Sequence, residues 1–215
     1  MQIALAFPST GGITLDGVLI VPDGLPPPFA SVALCHPHPI LGGHKDQGLI
    51  YLTARALESH GIACLRFNFR GVGDSQGEFS MGRHETKDVL AAIKLLGAWK
   101  GLDRQRIGLM GYSFGGTIAL RAAVKEKRVR GLALVAPPTT SFPLSAYRRW
   151  KRLTLLVGGA NDLIADGDEL QRLAAEGGSP AECRIIPGAD HALAGHEGAV
   201  AAMVADFFAH AFSRR

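Results

Sequence analysis

Cysteine is scarce in this sequence: Cys35, Cys64 and Cys183 are the only three among 215 residues. An odd number, widely spaced and outside any C-x-x-C pattern, excludes a disulfide framework and a zinc knuckle and suits a reducing compartment. Long apolar runs are missing too. No stretch reaches the roughly 18 residues of a membrane span, and residues 1–8 lack the positive region and apolar length of a secretory signal. The expectation is a cytoplasmic protein with no membrane span. Concentrated charge is also lacking: the net charge of +4 comes from 23 basic and 19 acidic residues spread along the chain. Short basic groups occur only at 125–130, 148–152 and 214–215. Scattered Lys and Arg form a solvated surface, so no nucleic-acid partner is expected.

What the chain has in excess is glycine. Twenty-seven residues is nearly double the usual share of about 7%, and without a Gly-X-Y period it signals many tight turns instead of a fibre. With 47% hydrophobic and 20% charged residues the composition is globular, not disordered. At roughly 150 residues per domain, with α/β folds running to about 250, the length fits one domain over 1–215. No internal repeat or low-complexity tract interrupts it, and it sets no oligomeric state.

Residues 2–22 contain β-favouring runs around Gly11-Gly12 and predict antiparallel strands, followed by a Pro-rich connection at 24–28. Beyond it, short apolar runs at 31–35, 62–67, 107–111, 132–136, 153–157 and 182–186 alternate with segments of helical period. Val89, Leu90, Ile93 and Leu96 line one face of an early helix. Val200, Met203, Val204, Phe207 and Phe208 line one face of the last. Continuous Val/Leu/Ile strands need cover on both sheet faces, so the predicted class is α/β: a mostly parallel sheet with helices on both sides. Residues 137–152 leave room for a short helix and for no sizeable lid.

The most informative stretch is IGLMGYSFGGT at 107–117. An apolar strand runs into Gly111-Tyr112-Ser113-Phe114-Gly115 and then into an apolar helix beginning near Gly116. A serine on a sharp strand-to-helix turn takes a strained backbone, and Gly111 and Gly115 remove the side chains that would collide around it. Its hydroxyl then points out of the sheet, toward the positive end of the following helix. Such a serine becomes a nucleophile only with a base and an acid that orients the base. Asp162 in GGANDLI and His191 in PGADHAL each follow an apolar strand, on loops at strand C-terminal ends, where ligands bind a parallel sheet. Asp166 and Asp168 sit where the next helix starts and suit capping, while Asp190 suits a turn. His196 and His210 belong to the last helical pattern. The predicted set is therefore Ser113, Asp162 and His191.

The strand 31–35 leads into His36-Pro37-His38-Pro39, where a second oxyanion donor would stand. Prolines carry no N–H, and Pro37 and Pro39 stiffen the backbone around His38. The expected oxyanion hole is the backbone N–H of His38 with that of Phe114. Two other readings stand beside this one. His36 and His38, two apart in an extended segment, with His44 and Asp46 nearby, would suit a metal-dependent hydrolase. A binding or interaction protein that kept the scaffold is the third. Cys35 and Cys64 read as small buried hydrophobes.

These motifs resemble the α/β-hydrolase superfamily: GYSFGG for the elbow, GGAND for the acid and GADH for the base. The stretch RFNFRGVGDSQGE at 66–78 is similar to the Arg-Gly-x-Gly-x-Ser loop after the fourth strand of many members. CHPHPILGG and the small lidless size narrow the resemblance to a group of small bacterial hydrolases related to dienelactone hydrolases and serine esterases. It covers about residues 13–212. It implies an eight-strand sheet whose second strand is antiparallel, hydrolysis of a small-molecule acyl substrate through an acyl-enzyme, and no cofactor or metal. Dienelactone hydrolases carry cysteine where this chain has Ser113, and the usual His-Gly after the third strand is His36-Pro37 here. Arg70, Gly71, Gly73 and Ser75 are expected to brace their loop, and Phe79, Met81, Phe142, Tyr147 and Trp150 lie on segments that can line a pocket.

Overall fold

The computed structural model describes residues 1–213; the Arg214-Arg215 pair lies outside them. The chain opens with an antiparallel pair, β1 (Gln2–Pro8) and β2 (Thr14–Ile20), joined through the Gly11-Gly12 turn with Pro8 opposite Thr14. Strands and helices then alternate: β3 (Phe29–Cys35), α1 (Gly48–Ser59), β4 (Ala63–Phe67), α2 (Glu85–Ala98), β5 (Leu102–Tyr112) and α3 (Phe114–Ala123). They continue with β6 (Val129–Val135), α4 (Leu144–Arg149), β7 (Leu153–Gly159), α5 (Gly167–Glu176), β8 (Ala181–Ile186) and α6 (Glu197–Ser213). All eight strands form one sheet in the order β1-β2-β4-β3-β5-β6-β7-β8. Only β2 runs against its neighbours, and β3 to β8 are mutually parallel. This is the expected α/β class, and no cap domain stands over the sheet among the described residues.

Burial follows the strand order. Every residue of β3 and β4 is buried, as central parallel strands require, whereas the edge strands β1 and β8 alternate between covered and open positions. Adjacent residues of β5 show the two faces. A side chain at Gly97 of α2 would meet Ile107, while Gly108 lies under the Phe208 ring of α6. Helices α1 and α6 pack on one another, as α2 and α3 do. The expected apolar stripes hold: Val89, Ile93 and Leu96 are buried with Leu90 packed beside them, and Val200, Val204, Phe207 and Phe208 are buried with Met203 alongside.

The expected strands lie within a few residues of the observed ones, and three of the differences have a clear physical cause. β5 starts at Leu102 instead of 107, because residues 102–106 pair irregularly past a register shift and are largely open to solvent, which leaves no apolar run to read. Ala136 falls outside β6: its N–H still donates to the Val157 carbonyl at 2.7 Å, but φ of 45° turns the chain out of the sheet. Helix α3 begins at Phe114, two residues before Gly116, so the turn has no spacer between serine and helix. Tyr147 and Trp150 are core residues with no part in a pocket wall. Among the described residues no helix is long and apolar enough to cross a membrane. Because β3 to β8 point the same way, their C-terminal ends share one edge of the sheet, and His36, Ser113, Asp162 and His191 all follow such ends.

Candidate active site

Ser113 closes β5 and caps α3 with φ 51° and ψ −119°, a left-handed setting that costs a non-glycine residue about 1–3 kcal/mol. Its N–H is tied to the Val135 carbonyl of β6 at 2.8 Å. The glycines on either side are required by close approach. A Cβ on Gly111 would overlap the Gly115 backbone, and one on Gly115 would overlap the Cys35 and His36 carbonyls at the end of β3. The first turn of α3 is thereby seated against the strand that carries the HPHP loop.

The three residues drawn from distant motifs meet at this edge. Ser113 Oγ lies 2.9 Å from His191 Nε2, and His191 Nδ1 lies 2.9 Å from Asp162 Oδ2 and 3.1 Å from Oδ1. An ionised carboxylate only accepts, so Nδ1 carries the ring proton and Nε2 is left to accept from the serine hydroxyl. Asp162 has no exposed side-chain surface. Its Oδ1 also accepts from the N–H groups of Ile164 and Ala165, both at 2.8 Å, which fixes the carboxylate before it touches the imidazole. Its competitors are elsewhere employed. Asp166 caps α5 by accepting from the Glu169 N–H at 2.8 Å, Asp168 lies in the first turn of α5, and Asp190 accepts from the Ala192 N–H at 3.0 Å within its turn. The His196 carbonyl accepts from the Val200 N–H at the start of α6, and His210 lies in that helix's last turn.

The HPHP loop is next to the serine. The His38 ring packs edge-on against both Phe114 and Phe79, each at 5.1 Å between centroids, and those two phenylalanines are 5.5 Å apart. Neither the His38 nor the Phe114 N–H donates to an acceptor among the described residues. His36 has a different task. It is fully buried, its Nδ1 hydrogen-bonds the Pro37 carbonyl at 2.8 Å and its Nε2 accepts from the Phe69 N–H at 3.0 Å. Burial pulls its pKa down to about 4, so the ring is neutral and both nitrogens are occupied in holding the loop. Among the described residues no group of three or more His, Cys, Asp or Glu side chains is arranged to hold a metal.

The loop after β4 is braced as its sequence suggests. Arg70 Nε and Nη2 both bond the buried Asp88 carboxylate, at 2.9 and 2.6 Å, and Ser75 Oγ donates to the Asn68 carbonyl at 2.8 Å. Gly71 and Gly73 both have positive φ, and a Cβ on Gly71 would press on the Phe79 backbone. Sequence reasoning did not find Tyr112, whose hydroxyl donates to the His191 carbonyl at 2.9 Å. Burial, together with Asp162, Asp190 and Glu197, pushes its pKa up to about 12 and keeps it a donor. Nor did it find Asp88, whose Oδ1 also accepts from Ser9 at 2.7 Å. Cys35 and Cys64 are buried, and burial raises both thiols, which leaves them inert.

Similarity to known proteins agrees with the fold. Residues 33–153 match the family model for the alpha/beta hydrolase fold. The uncharacterized protein RP471 of Rickettsia prowazekii is 30% identical over 173 residues, spanning 76% of this chain and 72% of that one. An alpha-beta serine hydrolase homologue from Coxiella burnetii superposes with a TM-score of 0.84 at 28% identity, covering 95% of this chain and 96% of its own. XC6422 from Xanthomonas campestris, described as a serine hydrolase without a lid, gives 0.77 at 26% identity over 99% and 94%.

Proposed function

The chain belongs to the α/β-hydrolase family, a membership that supports hydrolase activity, and from that premise we propose that it is a serine hydrolase cleaving a carboxylic ester or thioester through an acyl-enzyme. The observation that carries the reading is the continuous relay from Ser113 through His191 to a fully buried Asp162, with both contacts at 2.9 Å.

In this reading Ser113 Oγ attacks the substrate carbonyl carbon as His191 Nε2 takes its proton. Asp162 stabilises the imidazolium that results, and the N–H groups of His38 and Phe114 hold the oxygen that becomes negative. Collapse of the tetrahedral intermediate breaks the bond to the alcohol or thiol, which leaves with the proton returned by His191. Water then attacks the acyl-serine, His191 removes its proton, and a second collapse releases the carboxylic acid and restores Ser113. The chemistry uses no cofactor and acts on a small-molecule acyl substrate within one domain. The three cysteines are unpaired, which agrees with a cytoplasmic protein.

The test is hydrolysis of p-nitrophenyl acetate by wild-type protein and Ser113→Ala. Turnover by the former, lost in the latter at unchanged melting temperature, is the expected result. Hydrolysis that survives the substitution overturns the assignment.

A further inference from the structure

Resting on the serine-hydrolase reading, we propose that the substrate carries an extended apolar acyl chain, laid across a preformed rim of exposed aliphatic side chains around Ser113. The rim comprises Ile40, Leu41, Met81, Leu163 and Ile164. Leu163 is 96% exposed, Leu41 83%, Ile40 70% and Met81 63%. Single exposed apolar residues are ordinary on a protein surface, so it is their placement that carries the inference.

Each lies on a loop that also builds the site. Ile40 and Leu41 follow His38, whose carbonyl accepts from the Leu41 and Gly43 N–H groups at 3.0 and 3.1 Å. Leu163 and Ile164 follow Asp162, and the Ile164 carbonyl accepts from the Thr139 N–H, which ties this loop to the one after β6. Met81 precedes Gly82, where an added Cβ would stand 3.6 Å from the Phe114 ring.

The loops are also pinned in ways that hold these side chains outward. Met81 has φ of 55°, a costly setting for a side chain of its size. The N–H groups on either side of it, from Ser80 and Gly82, donate to the buried Glu85 carboxylate at 2.7 and 2.8 Å. Leu163 is bracketed in the same manner, because Asp162 accepts from the two N–H groups that follow it. A strained backbone that presents a thioether to solvent, and an acid loop whose apex is leucine, both expose apolar surface that ligand binding would cover. The wall between rim and nucleophile is aromatic, formed by His38, Phe79 and Phe114. Phe79 and Phe114 give an aliphatic chain apolar surface to cross, while the buried His38 Nδ1 beside them has no hydrogen-bond partner among the described residues.

The experiment is a series of p-nitrophenyl esters from acetate to dodecanoate, kept below their aggregation concentrations. It is run on wild-type protein, on the triple variant Leu41→Ser/Met81→Ser/Leu163→Ser, and on the control Leu25→Ser, whose exposed side chain lies on the Pro-rich connection before β3. Full burial of a methylene is worth roughly fourfold, about 0.8 kcal/mol, and partial burial on an open rim about twofold. In wild type and control, kcat/KM is expected to climb by about twofold per methylene, and in the triple variant the slope collapses toward flat. The slope is the readout, since these side chains make no core contact whose loss would unfold the protein. A flat or falling wild-type series, or a slope that survives in the triple variant, overturns the proposal. So does a dimer that the serine substitutions dissolve while leaving the slope intact, because a second copy then covers the rim. No hydrolysis of any ester by wild type, acetate included, sinks the serine-hydrolase reading itself, whereas acetate turnover with a flat series sinks only the acyl rim.

Discussion

The hydroxyl of Tyr112 donates to the main-chain carbonyl of His191 at 2.9 Å, so the residue before Ser113 holds the loop that carries His191. The bond spans 79 positions of sequence and sets the imidazole against Ser113 through the backbone. Tyr112→Phe keeps the ring and removes only this donor. A single hydrogen bond of this kind is worth about 0.5–1.5 kcal/mol, so the variant is expected to lose roughly three- to tenfold in kcat with KM nearly unchanged. Steady-state kinetics on a fixed ester separates the two. A change confined to KM would mean that Tyr112 contacts substrate and does not position the base.

Asp162→Asn tests the tautomer. The amide oxygen can still accept from Ile164 and Ala165, so the loop holds. The amide NH2 presented to His191 Nδ1, however, moves the ring proton to Nε2, where it blocks the serine. The expected loss is about 10³ to 10⁴ in kcat with little change in melting temperature, measured on the same ester. A loss under tenfold would remove Asp162 from the relay.

Acid sensitivity follows from His36. Its folded pKa of about 4 lies below the value near 6.5 of the unfolded chain, so between those values the unfolded state binds the extra proton. Stability is therefore full above about pH 6.5 and falls as the pH drops toward 4. A shift of this size corresponds to about 3 kcal/mol from this residue. Thermal melts of wild type and His36→Gln across pH 4 to 7 isolate the contribution, with the variant losing less stability in that window. Parallel curves would mean that His36 titrates normally in the fold.

The Arg70–Asp88 pair braces the loop that carries Phe79. Asp88 is fully buried, and its oxygens take Arg70 Nε, Nη2 and N–H as well as the Ser9 hydroxyl. Arg70→Ala leaves that carboxylate without a cation, which costs about 3–5 kcal/mol and lowers the melting temperature by about 10 °C for a chain of this length. Calorimetry measures it directly, and a fall below about 3 °C would show that the loop rearranges to release Asp88.

Sequence legibility tracked how much of each feature is local. The central strands announce themselves as continuous apolar runs, and the serine turn is readable because Gly111, Ser113 and Gly115 are packed into five residues with strand before and helix after. Asp162 and His191 stand out as candidates because each follows its own apolar strand, and the fold brings both to Ser113. Residues 102–106 of β5 do not stand out, since an open, irregularly paired stretch has no apolar pattern. The Tyr112 hydroxyl meets a main-chain carbonyl, which every residue possesses, and leaves no signature at position 191. Arg70 and Asp88 are joined only through the fold of the loop between β4 and α2. The HPHP stretch singles out His38 through its flanking prolines, and packing shows where the other goes: His36 turns inward against Phe69, while His38 lies beside Phe114.

The central claim is that Ser113 is an activated nucleophile, and a fluorophosphonate probe reads that directly because it reacts with a serine whose proton a neighbouring base can take. Covalent addition of one probe to folded wild-type protein is expected, with mass spectrometry locating it on Ser113 and no addition to Ser113→Ala. Folded wild-type protein that stays unlabelled, or a label found on another residue, would contradict the account.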